Sequence, residues 1–105
     1  MPHGVEGMHT VETIIAKIEK HMDKVGGKRS EWYVGITSDI EERLFGFHRV
    51  QRKGGRWIHC KAANDADARE AEAAFHEAGC QGAGGGGDHT AVHVYAYPVA
   101  EDTVE

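Results

Sequence analysis

The strongest candidate for a functional side chain in this sequence is Glu72. At 100° per residue it lies within the apolar stripe that Ala68, Ala71 and Phe75 form on a predicted helix. A lone buried carboxylate is costly, so it must be paired, protonated or bound to a cation. Two interpretations stay open: a metal ligand or active-site acid, and a structural glutamate paired with an arginine such as Arg43.

A second group of interest lies where a predicted strand runs into a predicted helix, in W-Y-V-G-I-T-S-D-I-E-E-R-L. Alternation over 32–37 predicts a strand, with Tyr33 and Gly35 on one face and Trp32 on the other. Ser38 begins an S-x-x-E capping box that predicts a helix start directly after the strand. The segment therefore places Tyr33 and Gly35 on a strand and Arg43 on the helix that follows directly, a spacing that could form part of an active site.

Periodicity and caps predict the remaining elements. A helix capped by Thr10 extends to about Val25, and a helix capped by Asn64 or Asp65 extends to about Ala78. Alternation predicts strands over 57–62 and 91–97. The expected fold is α+β, a small three-stranded sheet covered by helices in the order α-β-α-β-α-β. We expect a flexible leader over 1–9, one domain over 10–98 and an acidic tail over 99–105.

Composition narrows the class of protein. The chain has 105 residues and a net charge of −5, and no run approaches the roughly 18 apolar residues of a membrane helix. We expect no membrane contact and a cytoplasmic location, with Cys60 and Cys80 as reduced, buried thiols. Charge is uneven, because residues 28–61 hold eight Lys/Arg against four acidic residues. Part of this excess is a basic turn, either a solvated loop or a surface for the phosphates of DNA or RNA: Arg49, Arg52, Lys53 and Arg56.

The order Y-[IV]-G, Arg-Leu and A-x-x-x-E, at Tyr33–Gly35, Arg43–Leu44 and Ala68–Glu72, resembles the core of the GIY-YIG nucleases. The resemblance implies a GIY-YIG-like fold and metal-dependent hydrolysis of nucleic-acid phosphodiesters. It implies that Glu72 holds Mg²⁺ or Mn²⁺, that Arg43 stabilises developing negative charge, and that Tyr33 hydrogen-bonds the phosphate or a water. His48 would be the candidate for proton chemistry, and Gly35 would serve through its backbone.

The first G-[IV]-Y strand of that family has no counterpart upstream of Trp32. We predict that strand 91–97 takes its place, pairs directly with 32–37 and supplies Tyr95 or Tyr97 to the site. The W-Y-V-G-I, Gly-rich loop and V-Y-A-Y combination is also similar to small uncharacterised bacterial and phage proteins. Two other functions stay open: a catalytically inactive nucleic-acid-binding module of the same fold, and a protein-interaction adaptor that uses the N-terminal helix.

Overall fold

The C-terminal strand occupies the centre of the sheet. In the computed structural model, which describes residues 8–50, 56–82 and 90–99, β4 (His93–Pro98) pairs antiparallel with β2 (Trp32–Thr37) on one side and β3 (Ile58–Ala62) on the other. A two-residue strand, β1 (Met8–His9), adds to β3 in parallel. The α+β class and the predicted order of the main elements are confirmed.

Two helices cover one face of the sheet, which we call the helical face. α1 (Val11–Val25) begins at Thr10, whose hydroxyl accepts a hydrogen bond from the Thr13 amide, and α2 (Asp65–Glu77) begins at Asn64, whose side chain accepts from the Asp67 amide. These caps satisfy backbone donors that a helix start otherwise leaves unpaired. The apolar stripes of both helices pack on alternate residues of β2 and β4 to form the main core: Ile14, Ile18, Met22, Ala68, Ala71, Phe75, Trp32, Val34, Ile36, Val94 and Ala96.

The opposite side of the sheet, the tyrosine face, carries Tyr33, Tyr95 and Tyr97. A second, smaller core forms there with Leu44 and Val50. Leu44 belongs to a seven-residue π-helix, Glu41–Phe47, where the sequence predicts an α-helix. The segment therefore lies over the tyrosines and brings Leu44 and Phe45 to this face.

The capping box predicted for Ser38 and Glu41 is wrong. The Thr37 hydroxyl accepts a hydrogen bond from the Asp39 amide at 3.1 Å, and the Asp39 carboxylate accepts from the Glu42 amide at 3.1 Å. The chain therefore turns before Ser38 can reach the first helical amides, and Asp39 takes the capping role.

Both edges of the sheet also differ from the sequence prediction. Met8–His9 was expected in the flexible leader, but these residues pair with Lys61 and Ala62, because a sheet edge can recruit a strand that composition does not indicate. At the other edge, the Gln81 amide donates to the Trp32 carbonyl at 2.7 Å and the Gln81 carbonyl accepts from the Val34 amide at 2.9 Å. Gln81 thus continues the sheet by one residue beyond β2.

Within the described residues, no helix has the length and apolar content required to cross a membrane.

The register of β2 on β4 makes Gly35 a sensitive position. Gly35 lies opposite Tyr95, and a Cβ added at Gly35 would lie 2.6 Å from the Tyr95 hydroxyl oxygen. The Tyr95 side chain is only 2% exposed. A methyl group at position 35 must therefore displace a packed ring, which costs free energy as other overpacked cores do.

We expect Gly35→Ala to lower the free energy of unfolding by about 1–3 kcal/mol, measured by urea denaturation. Gly46→Ala is the matched control, because its added Cβ would come no closer than 4.0 Å to the Glu41 carbonyl oxygen. Equal losses in the two variants would contradict the close approach of Tyr95 to Gly35.

Candidate functional site

The predicted replacement strand lies where the sequence analysis placed it. Tyr33 is opposite Tyr97 and Gly35 is opposite Tyr95, so the direct pairing of 91–97 with 32–37 is confirmed. Side chains two residues apart share a face of a strand, which brings the three tyrosines together. Their rings stack in parallel, with centroids 5.3 Å apart for Tyr33 and Tyr97 and 6.2 Å apart for Tyr33 and Tyr95.

His48 joins two of these tyrosines. Its side chain is 1% exposed, with Nε2 2.7 Å from the Tyr95 hydroxyl and Nδ1 2.9 Å from the Tyr97 hydroxyl. A neutral imidazole has one N–H and one lone pair, so one hydroxyl donates to the ring and the other accepts from it. Both ring nitrogens are thereby used inside the protein, which favours a positioning role for His48.

The π-helix sets the relation between His48 and Arg43. The His48 amide donates to the Arg43 carbonyl at 2.9 Å, five residues back instead of the four of an α-helix. This π-type turn holds one more residue between Arg43 and His48 than an α-helical turn would. Arg43 remains exposed to solvent, while His48 lies buried against the tyrosines.

The Tyr95 hydroxyl is the group on which the charges of several predicted site residues act. Burial raises the pKa of Tyr95 far above its ordinary value. Tyr33, Tyr97 and the Glu72 carboxylate raise it further, and only the Arg43 guanidinium opposes them. Tyr95 therefore keeps its proton at neutral pH and acts as a hydrogen-bonding group, not as a base.

Glu72 lies in the helical layer, on the other side of the sheet from Tyr33 and Tyr95. It lies on α2, one turn before His76, whose Nε2 donates to the Val34 carbonyl at 2.9 Å across the edge of β2. Side chains four residues apart lie on one side of a helix, so Glu72 also faces that edge. From there its charge acts on the Tyr95 hydroxyl on the tyrosine face.

The Glu72 carboxylate is buried without a direct partner. The residue is 6% exposed, and with the described residues it makes no hydrogen bond and no ion pair. Burial raises its pKa, and the nearby charges of His76 and Arg69 oppose that rise. The structural pair with Arg43 that the sequence left open is not present. A buried carboxylate without such a partner is favoured either in its protonated form or bound to a cation.

The predicted basic turn is described only at its two ends. Arg49 and Arg56 are exposed and have positive φ angles of 59° and 57°, a backbone conformation that non-glycine residues rarely adopt. Arg52 and Lys53 lie outside the described residues. The two described arginines therefore stand on either side of the turn that the sequence singled out.

Sequence reasoning missed the aromatic residues that extend the tyrosine face across β3. Trp57 contacts Phe45 edge-on at 5.1 Å and stacks on His59 at 5.7 Å, and His59 lies 6.0 Å from His93. Burial lowers the pKa of both histidines, and the neighbouring ring lowers that of His93 further, so neutral rings are favoured. Alternation along 57–61 and 93–97 already assigns these residues to one face, but their contacts depend on the strand register.

The hydrogen bonds of His48 generate a prediction about stability. Tyr95→Phe or Tyr97→Phe would each leave one buried imidazole nitrogen without its partner, at a cost of about 1–3 kcal/mol in unfolding free energy. Because both hydroxyls bind the same ring, we expect the double variant to lose less than the sum of the singles in urea denaturation. Strict additivity, or no loss in either single variant, would argue against a shared His48 network.

Comparison with known proteins adds no assignment to this geometry. No family model matches the sequence, and no curated protein and no solved structure matches it significantly. In the described part of the chain, no three His, Cys, Asp or Glu side chains are grouped to hold a metal ion. The candidate site is therefore described by the ring contacts of Tyr33, Tyr95 and Tyr97, the hydrogen bonds of His48, and the charges of Arg43 and Glu72 that act on Tyr95.

Proposed function

We propose that this protein is a metal-dependent, endonuclease-like domain that hydrolyses nucleic-acid phosphodiesters. The observation that carries the proposal is the buried Glu72 carboxylate, which has no direct partner among the described residues. Its charge and that of the exposed Arg43 both act on the Tyr95 hydroxyl. A carboxylate, a guanidinium and hydrogen-bonding phenols are the kinds of group that stabilise a phosphoryl-transfer transition state.

A divalent metal with oxygen ligands fits this donor set. Mg²⁺ and Mn²⁺ are commonly held by one or two carboxylates, with phosphate oxygens and waters completing the coordination. Glu72 would be the protein ligand, and the absence of a direct partner for it among the described residues suits that role. When bound, such an ion polarises the phosphoryl oxygen and neutralises charge that develops on it.

The remaining side chains would either bind the phosphate or hold the phosphate-binding side chains in position. The exposed Arg43 guanidinium would donate two parallel hydrogen bonds to phosphate oxygens and stabilise the added charge. The Tyr33 hydroxyl, in a residue that is 8% exposed, would donate a hydrogen bond to a phosphate oxygen or a water. Tyr95 and His48, both buried, would fix Tyr33 and the Arg43 helix and would act as positioning residues.

A second candidate function is a nucleic-acid-binding module of the same fold without catalysis. The observation that favours it is the engagement of both His48 nitrogens by tyrosine hydroxyls, together with the raised pKa of Tyr95. Neither group is then available as a general base near neutral pH. Cleavage separates the two candidates, because both require binding of DNA or RNA.

The partner in either case is DNA or RNA, and a cytoplasmic location goes with this proposal. The exposed Arg49 and Arg56, with Arg52 and Lys53 of the same basic turn, are proposed to contact phosphates without reading sequence.

We expect the wild-type protein to cleave a labelled DNA or RNA oligonucleotide only when Mg²⁺ or Mn²⁺ is present. We expect Glu72→Gln to abolish cleavage while nucleic-acid binding stays as tight or becomes tighter.

Mn²⁺ should also raise the melting temperature of the wild type but not of Glu72→Gln, because a ligand of the folded state stabilises it by mass action. Glu77→Gln, at an exposed glutamate of the same helix, is the matched control. Equal Mn²⁺ stabilisation of both variants would exclude Glu72 as the metal ligand.

The raised pKa of Glu72 generates a separate prediction in the absence of metal. The folded state disfavours the charged Glu72 carboxylate, so the pKa of Glu72 is higher in the folded state than its ordinary value of 4.5. The stability that the protonated carboxyl contributes is therefore fully present below pH 4.5 and is lost as pH rises through the folded-state pKa. We therefore expect Glu72→Gln to gain stability relative to the wild type between about pH 4 and pH 7. Denaturation at a series of pH values with a chelator measures this, and a constant difference would contradict the desolvation of Glu72.

A further inference from the structure

We propose that the groove between α1 and the outer edge of β3 binds the phosphate backbone of the same nucleic acid, as a second site away from Glu72. This inference rests on the proposed function, because that function supplies the polyanion. The groove has a volume of about 370 Å³. We call it the lysine groove, after the three lysines of α1 that line it: Lys17, Lys20 and Lys24.

The charges of α1 are sorted onto two sides of the helix. Lys17, Lys20 and Lys24 lie within a narrow arc on one side of the apolar stripe, as the 100° rotation per residue requires. Three acidic residues occupy the arc on the other side of that stripe: Glu12, Glu19 and Asp23. Interspersed charges would cancel at short range, whereas sorted charges create a local positive field in a protein of net charge −5.

The lining of the lysine groove has the composition of an anion site. Three histidines, His9, His21 and His59, join the lysines, and Ile58 and Cys60 of β3 complete the lining. Among the described lining residues there is no carboxylate that would neutralise a lysine. On the acidic side of α1, Asp23 forms an ion pair with Arg29 at 3.2 Å, away from the lysine groove.

The lysine groove is continuous with both parts of the proposed nucleic-acid surface. His21 Nε2 donates to the Arg56 carbonyl at 2.8 Å, so the groove adjoins the end of the basic turn. His59 lines the groove and also lies opposite Tyr95 in the register of β3 on β4. A nucleic-acid backbone on the tyrosine face would therefore reach the lysines by passing around the β3 edge at His59.

Lysine ammonium groups bind phosphates as point charges, without a requirement for bidentate geometry. Three of them along about two helical turns suit a chain of successive phosphates better than one small anion. Such contacts hold nucleic acid irrespective of its sequence and are sensitive to salt.

The test compares the triple variant Lys17→Gln/Lys20→Gln/Lys24→Gln with the control Glu12→Gln/Glu19→Gln/Asp23→Asn. Binding of a fluorescein-labelled DNA duplex is measured by anisotropy over a salt series. We expect the lysine variant to bind about tenfold or more weakly at low salt, with a salt slope lower by roughly two to three. The acidic-side control should bind as tightly as the wild type or more tightly. All six side chains are exposed, and circular dichroism checks that each variant folds.

The outcomes separate this proposal from the proposed function. Unchanged affinity and slope in the lysine variant, with weaker binding by Arg49→Gln/Arg56→Gln, would overturn the lysine groove alone. Weaker binding by the lysine variant in a protein that never cleaves DNA or RNA would keep the groove and overturn the hydrolase. If polyglutamate binds the wild type as tightly as DNA, the groove takes an acidic protein and the proposal fails. Absence of any DNA or RNA binding would overturn both proposals.

Discussion

The pairing of β2 with β4 in one register is the constraint on which the rest of the site depends. It sets Gly35 opposite Tyr95, so the tyrosine ring can lie close to the β2 backbone. In that position the hydroxyl reaches His48, and His48 holds the end of the π-helix that carries Arg43. A shift of one residue would move every side chain of the strand to the opposite face and would separate the tyrosines from His48.

Much of the fold was predictable from the sequence because the relevant signals are local. The spacing of Ile14, Ile18 and Met22 predicted the buried side of α1, and Thr10 caps that helix as expected. Alternation placed Tyr33 and Gly35 on the face opposite Trp32, and the pattern around Glu72 predicted its burial. These predictions follow from the geometry of a helix or a strand, which holds whatever the element packs against.

The parts that sequence reasoning missed depend on contacts between distant segments. Two histidine hydrogen bonds and the cap at Asp39 select the π-helix over an α-helix, and a seven-residue segment is too short for periodicity to distinguish them. The lysines of α1 were visible in the sequence, but their groove exists only because β3 lies beside them.

The bond between Gln81 and the edge of β2 has a consequence for self-association. An unpaired edge strand is a template on which another chain can add a strand, and such edges promote aggregation unless they are blocked. Gln81 occupies the backbone groups of Trp32 and Val34 that face this edge, and His76 donates a further hydrogen bond to the Val34 carbonyl. The strand with the most apolar sequence in the sheet, W-Y-V-G-I-T, is thereby protected from edge-to-edge polymerisation at its N-terminal half.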